Sequence, residues 1–266
     1  MSCNRDKADK EMRKLYHALI PYELRYWFYK IRHPRDFRSL RSAVYPSPKG
    51  DFSLRPFDRH QCLFIHITKA AGTSVAKSLF GYLPYHYTAV EYRVIFGRRT
   101  FNNYFKFAFV RNPWDRLLSA YSFLRGGGWN QQDRFWYDEN ISHLPDFNCF
   151  VIEWLDSSRL QSHVHLRPQS DFICDSRQRP LIDYLGYFES LPEDFAHIAG
   201  VLNIDAQLGH ANASKRYDYR DIYSKEAIAK VYSVYRRDIE NFGYDFASLK
   251  TRMTVRNRSF EPLEKV

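Results

Sequence analysis

An α/β fold built on a parallel sheet is what this 266-residue sequence predicts, and three observations carry that expectation. Residues 63–80, LFIHITKAAGTSVAKSLF, pass from an apolar run through a short polar turn into helical spacing at Val75, Ala76, Leu79 and Phe80. Residues 104–110 are almost wholly apolar, as suits a strand covered on both faces, and a helix start follows at once. Residues 181–188 read as a further strand, with a helix over 191–202. Strands alternating with helices give one parallel sheet with helices on both sides.

The elements follow in order. Residues 1–60 form a basic extension carrying Trp27, Phe28 and Tyr29, and its end, YPSPKG at 45–50, reads as a linker. Such an extension either lies on an anionic membrane surface or packs on the core, and composition leaves both open. After the first helix, residues 89–96 form a second, with Thr88 and Glu91 as a capping box and Gly97 as the stop. His86 therefore sits in a connection just ahead of a helix, where function is often carried. Beyond the strand at 104–110, Asn112 caps a helix that opens on Pro113 with Asp115 in its first turn. This places Arg111 at the carboxyl end of a central strand, where open α/β sheets bind ligands, and Ser119 one turn past Asp115. Residues 126–144 begin with three glycines and read as a long polar loop, an acceptor-covering lid or an insertion. Phe147, Phe150, Val151, Trp154 and Leu155 have helical spacing, and Ser224 caps a last amphipathic helix reaching Phe242.

Charge is placed unevenly. Residues 1–60 hold 14 basic against 7 acidic side chains, residues 61–249 hold 21 of each, and residues 250–266 hold 5 against 2. A nucleic-acid binder carries its basic footprint on the folded domain, so the neutral core argues against that class. The chain divides into an extension (1–60), one core domain (61–249) and a basic tail (250–266). Four scattered cysteines make no disulfide framework and no CxxC pair, so they read as free thiols of a reducing compartment. No segment reaches the roughly 18 consecutive apolar residues of a membrane span, and residues 1–13 are too charged for a signal peptide. His163 and His165 in HVHLRPQ have a spacing that binds metals, but no third ligand joins them in a motif, so no metal is expected.

The turn at 68–74 has the ingredients of an anion site: Lys69, Gly72, Thr73 and Ser74 beside the unpaired N–H groups of a helix start. Gly72 lets the backbone come close to a ligand. It is not a Walker loop, because Lys69 precedes Gly72 by three residues, and the next strand ends in Arg111 rather than in an acid that holds magnesium. The turn looks built for phosphate without magnesium.

HITKAAGTS at 66–74, with FAFVRNPWDRLLSAY at 107–121, resembles the carbohydrate sulfotransferases related to the heparan and chondroitin enzymes. The likeness runs with gaps over residues 63–246, and two ordered motifs about forty residues apart are far more specific than either alone. It implies a P-loop-like three-layer fold and 3′-phosphoadenosine 5′-phosphosulfate as donor, with no metal. Lys69, Ala70, Ala71, Gly72, Thr73 and Ser74 then match the 5′-phosphosulfate loop, and Arg111 and Ser119 the 3′-phosphate site. Ser214, Lys215 and Arg216 match, more loosely, a late loop touching the cofactor phosphates. His165, Arg167 and Gln169 match a stretch near the acceptor cleft, and His86 stands where such enzymes carry their catalytic histidine, beside Lys69 as the cation on the leaving group. The implied activity is sulfuryl transfer to a hydroxyl of a polysaccharide or glycolipid. A glycan-binding protein that has lost catalysis, and a kinase or NTPase on the same fold, are the competing readings. Animal relatives are anchored in the Golgi, so the missing anchor points to a cytoplasmic, bacterial-type form, peripheral at the inner membrane face if the extension binds lipid.

Overall fold

The computed structural model describes residues 24, 39–209 and 218–247. Three parallel strands, β3 (Cys62–Ile65), β4 (Phe105–Val110) and β5 (Tyr184–Tyr187), form the central sheet in that order. Cys62 pairs with Phe105 and Ile65 with Ala108, while Phe107 pairs with Tyr184 and Val110 with Tyr187. Every residue of β3 and β5, and all of β4 after its first, is buried at least on one side, which is why these runs are continuously apolar rather than alternating. The one exception is Lys106, whose ammonium is matched by Asp183 at 2.8 Å and by the Phe101 and Tyr104 carbonyls.

Helices flank the sheet. A two-residue pairing of β1 (Val44–Tyr45) with β2 (Phe52–Ser53) and helix α1 (Arg55–His60) precede it. The stretch that reads as a linker is the hairpin loop between β1 and β2. Leu54 and Phe57, ahead of residue 61, are buried in the sheet-centred core. Helix α2 (Gly72–Phe80) follows β3, and α3 (Ala89–Phe96) and α4 (Arg98–Asn103) lead into β4. The capping box of α3 is complete: Glu91 N–H donates to Thr88 Oγ1 at 3.1 Å, and Thr88 N–H to Glu91 Oε2 at 2.6 Å. Helix α5 (Pro113–Arg125) starts on Asn112, whose side-chain oxygen accepts the Trp114 N–H.

Two sequence expectations change here. The polar stretch after the three glycines is not a loop, because residues Gln131–Asn140 form helix α6, capped by Asn130. The last amphipathic stretch is two helices, α10 (Lys225–Val234) and α11 (Arg236–Asn241), broken at Tyr235. Between α6 and α10 in sequence lie α7 (Phe147–Cys149), continued as a π turn over Phe150–Trp154, α8 (Ser170–Ile173) and α9 (Leu191–Val201). A second apolar core joins α5, the 147–154 segment and α10, so most aromatic residues there pack inside. Cys62, Cys149 and Cys174 are free thiols. Among the described residues no helix is long and apolar enough to cross a membrane. The aromatic extension at 27–29, Ser214, Lys215, Arg216 and the 250–266 tail lie outside the described residues.

Candidate active site

All three strands end on the same edge, and Lys69, Arg111, Gln169 and His86 lie at or just beyond those ends. Directly after β3, the chain turns through Lys69 (φ 64°) and Ala71 (φ 62°), both left-handed without being glycine. Such residues cost of order 1–3 kcal/mol each and persist only where surroundings fix them. Arg116 on α5 supplies that fixing: it is buried, and its guanidinium donates to the Thr68 carbonyl at 2.9 Å and to Thr68 Oγ1 at 3.0 Å. Arg111, after β4, donates to the Lys69 carbonyl at 3.1 Å. Helix α2 then begins at Gly72 with no side-chain cap and no acid in its first turn. Its first N–H groups, with Thr73 and Ser74 beside them, present a positive end to an anion.

Gly72 has a reason within the fold beside the one the sequence suggests. A Cβ there would lie 1.9 Å from His66 Cδ2 and 2.2 Å from its Nε2, so the space the glycine leaves holds the His66 imidazole. His66 in turn stacks on Phe64 and lies 4.3 Å, centroid to centroid, from His86.

His86 is held by its Nδ1, 2.8 Å from the His66 carbonyl oxygen. A carbonyl can only accept, so Nδ1 carries the proton and Nε2 keeps its lone pair. Burial lowers the His86 pKa, with Arg116 and Lys69 acting the same way against the His66 bond and Asp133, so the ring is neutral at pH 7. Lys69 extends its ammonium over the Phe123 ring at 4.1 Å. Burial, then Arg111 and Arg116, bring its pKa down to about 8, opposed by Asp133. The ammonium thus stays charged at neutral pH but is poorly neutralised, as befits a cation awaiting an anion.

Arg111 forms a salt bridge: Nε and Nη2 meet the Asp115 carboxylate at 2.8 and 2.7 Å, and the guanidinium lies over Phe188 just past β5. With Nη1 on Lys69, three of its five N–H groups are committed among the described residues, which leaves two for a ligand. Ser119 is half-buried one turn further along α5. Gln169 is wholly buried, and its amide brackets the Arg111 backbone, accepting its N–H at 2.9 Å and donating to its carbonyl at 2.8 Å. Its side chain is therefore committed to the strand end rather than offered to a cleft. Buried Asp238 holds the same turn through Gln169 N–H and Ser170. Arg167 lies over Phe172, its Nε buried without a partner among the described residues.

His165 meets Phe123, the ring under the Lys69 ammonium, at 4.8 Å and His86 at 6.2 Å. Burial first, then His86, His163 and Lys69, push its pKa down to about 2, so it is neutral. The fold also supplies what the His163–His165 spacing lacked: Asp133 of α6 accepts from His163 Nε2 at 3.1 Å. Sequence reasoning missed Asp133, Arg116 and the clamp role of Gln169. The only signal for Arg116 was its place in the NPWDR run, and nothing linked Asp133 to histidines thirty residues away.

An uncharacterized protein of Archaeoglobus fulgidus is 24% identical over 127 residues, covering 47% of this chain and 91% of that protein. No solved structure matches the chain. The sulfotransferase family matches residues 54–245, which span both apolar cores, and the chain belongs to that family of sulfuryl-transferring enzymes.

Proposed function

We propose that this sulfotransferase takes the sulfuryl group of 3′-phosphoadenosine 5′-phosphosulfate to a hydroxyl of a carbohydrate, in a polysaccharide or a glycolipid. The observation that carries the reading is one edge of the sheet holding an uncapped helix start, an incompletely neutralised Lys69 ammonium and a neutral His86 with Nε2 unprotonated. In the reaction the acceptor oxygen bonds to sulfur as the bond from sulfur to the 5′-phosphate oxygen breaks, and the electron pair leaves with the phosphate. Lys69 meets the negative charge that grows on that oxygen, an interaction stronger in the transition state than before it. His86 Nε2 takes the hydroxyl proton, a role worth roughly 10²–10⁴ in rate. The α2 N–H groups with Thr73 and Ser74 hold the 5′-phosphate, and Arg111 with Ser119 holds the 3′-phosphate. His165 and Arg167 face the acceptor, while Gln169 positions Arg111. Arg111 at the end of β4, where a nucleoside-triphosphate enzyme needs an acid for magnesium, weighs against a kinase.

Donor choice is the test. Adenosine 3′,5′-bisphosphate should bind with no metal added, and Arg111→Ala should weaken it roughly ten- to a hundredfold, since a charge-assisted hydrogen bond contributes about 1.5–3 kcal/mol. Titration calorimetry that shows magnesium-ATP binding more tightly than the bisphosphate would overturn the assignment.

A further inference from the structure

We propose that Asp133, His163 and His165 bind a divalent transition-metal ion of the zinc class, which ties helix α6 to the turn carrying the two histidines. One donor atom from each lies within 4.8 Å of the other two. The His163 and His165 rings are 5.0 Å apart, and His163 Nε2 is 3.1 Å from Asp133 Oδ1. An independent observation points to a missing ligand. His165 is only 8% exposed, yet its Nδ1 is buried with no hydrogen-bond partner among the described residues, a rare condition for an interior polar atom.

Two imidazole nitrogens and one carboxylate oxygen are the donor set that zinc and its neighbours take, with a fourth position left for water or another ligand. Bond lengths of about 2.0–2.2 Å put tetrahedral donors roughly 3.3 Å apart. The Asp133–His163 pair already has that separation, and the widest pair must close by at most about 1.5 Å, within reach of a side-chain rotation. The surroundings suit a ligating carboxylate: Asp133 Oδ2 accepts the Trp129 N–H at 2.7 Å, which fixes its orientation. A Cβ on Gly128 would sit 2.2 Å from Asp133 Cβ, so the glycine makes room for this carboxylate. On binding, His163 Nε2 gives up its proton and Nδ1 takes one, which releases the long 3.3 Å contact from the His165 backbone N–H. Phe123 stands between this cluster and the donor loop, touching His165 on one hand and the Lys69 ammonium on the other. The metal site does not depend on the sulfuryl-transfer reading, and the test below does not use activity.

The full-length protein, untagged and stripped with a chelator, is titrated with Zn²⁺ and separately with Co²⁺. The expected result is uptake of one equivalent of zinc, a rise in melting temperature, and visible d–d absorption of four-coordinate cobalt. His163→Gln and Asp133→Asn should each lose the cobalt spectrum and the stabilisation by zinc, with folding of both checked by circular dichroism. Failure of the wild-type protein to take up either ion stoichiometrically would overturn the proposal whatever the variants do. So would an unchanged cobalt spectrum in a folded variant.

Discussion

Replacing Gly72 by alanine tests how the donor loop and the candidate base are built together. The added Cβ lies 1.9 Å from His66 Cδ2, where ordinary carbon contacts are about 3.5–4.0 Å, so the imidazole must move by about 1.6 Å or more. It has little room: His66 is 5% exposed, stacked on Phe64 and 4.3 Å from His86. Overpacking of this kind costs about 1–3 kcal/mol. For a chain of this size that is a fall of several degrees in melting temperature, at about 2–4 °C per kcal/mol. The decisive comparison uses a His66→Ala background. His66→Ala alone destabilises by leaving a cavity. In that cavity the alanine at 72 fits, and because Gly72 is helical with an ordinary φ, the substitution should gain about 0.4–1 kcal/mol from the stiffer unfolded chain. The sign of Gly72→Ala therefore reverses between the two backgrounds. Thermal melts of the four proteins read this directly, and an equal loss in both backgrounds would refute the clash with His66.

Lys69 gives a pH prediction. Its pKa of about 8 in the free protein is below the usual lysine value of about 10.4, and a bound phosphate, favouring the ammonium, raises it again. Adenosine 3′,5′-bisphosphate should therefore take up a proton on binding at about pH 9, and its affinity should fall as pH rises through that window. The free protein changes in the opposite direction. Its unfolded state binds the Lys69 proton more tightly than the folded state does, so the Lys69 contribution to stability increases from pH 8 towards 10. Calorimetry in buffers of different ionisation enthalpy measures the uptake, and Lys69→Met should abolish it.

What was legible in the sequence was local. The Asn112-Pro113 start of α5 and the Thr88–Glu91 box of α3 carry their own hydrogen-bond partners within a few residues, and both helices begin where those signals stand. Helix α6 escaped because its one buried residue is Asp133, so it has no apolar stripe to give a period, and three glycines precede it. The break at Tyr235 is equally silent, since the apolar spacing continues across it. In the site, Lys69, Arg111 and His86 stood out because each lies beside a strand end or a helix start. The parts that were missed act across the chain: Arg116 on Thr68, Gln169 on Arg111, and Asp133 on His163. Spacing along the sequence cannot show such contacts, and a glycine whose space is filled by a histidine six residues earlier looks the same as one opened for a ligand.

The central claim is tested most directly by following labelled sulfate from 3′-phosphoadenosine 5′-phosphosulfate into a panel of glycans and glycolipids, without added magnesium, for the wild-type protein and His86→Asn. Asparagine keeps a donor for the His66 carbonyl but has no nitrogen that accepts the hydroxyl proton. The account predicts transfer by the wild-type protein, and a loss of roughly 10²–10⁴ in turnover for His86→Asn. Affinity for adenosine 3′,5′-bisphosphate should be nearly unchanged. Transfer at a normal rate by a folded His86→Asn protein, or no transfer to any glycan by a wild-type protein that moves phosphate from ATP instead, would contradict it.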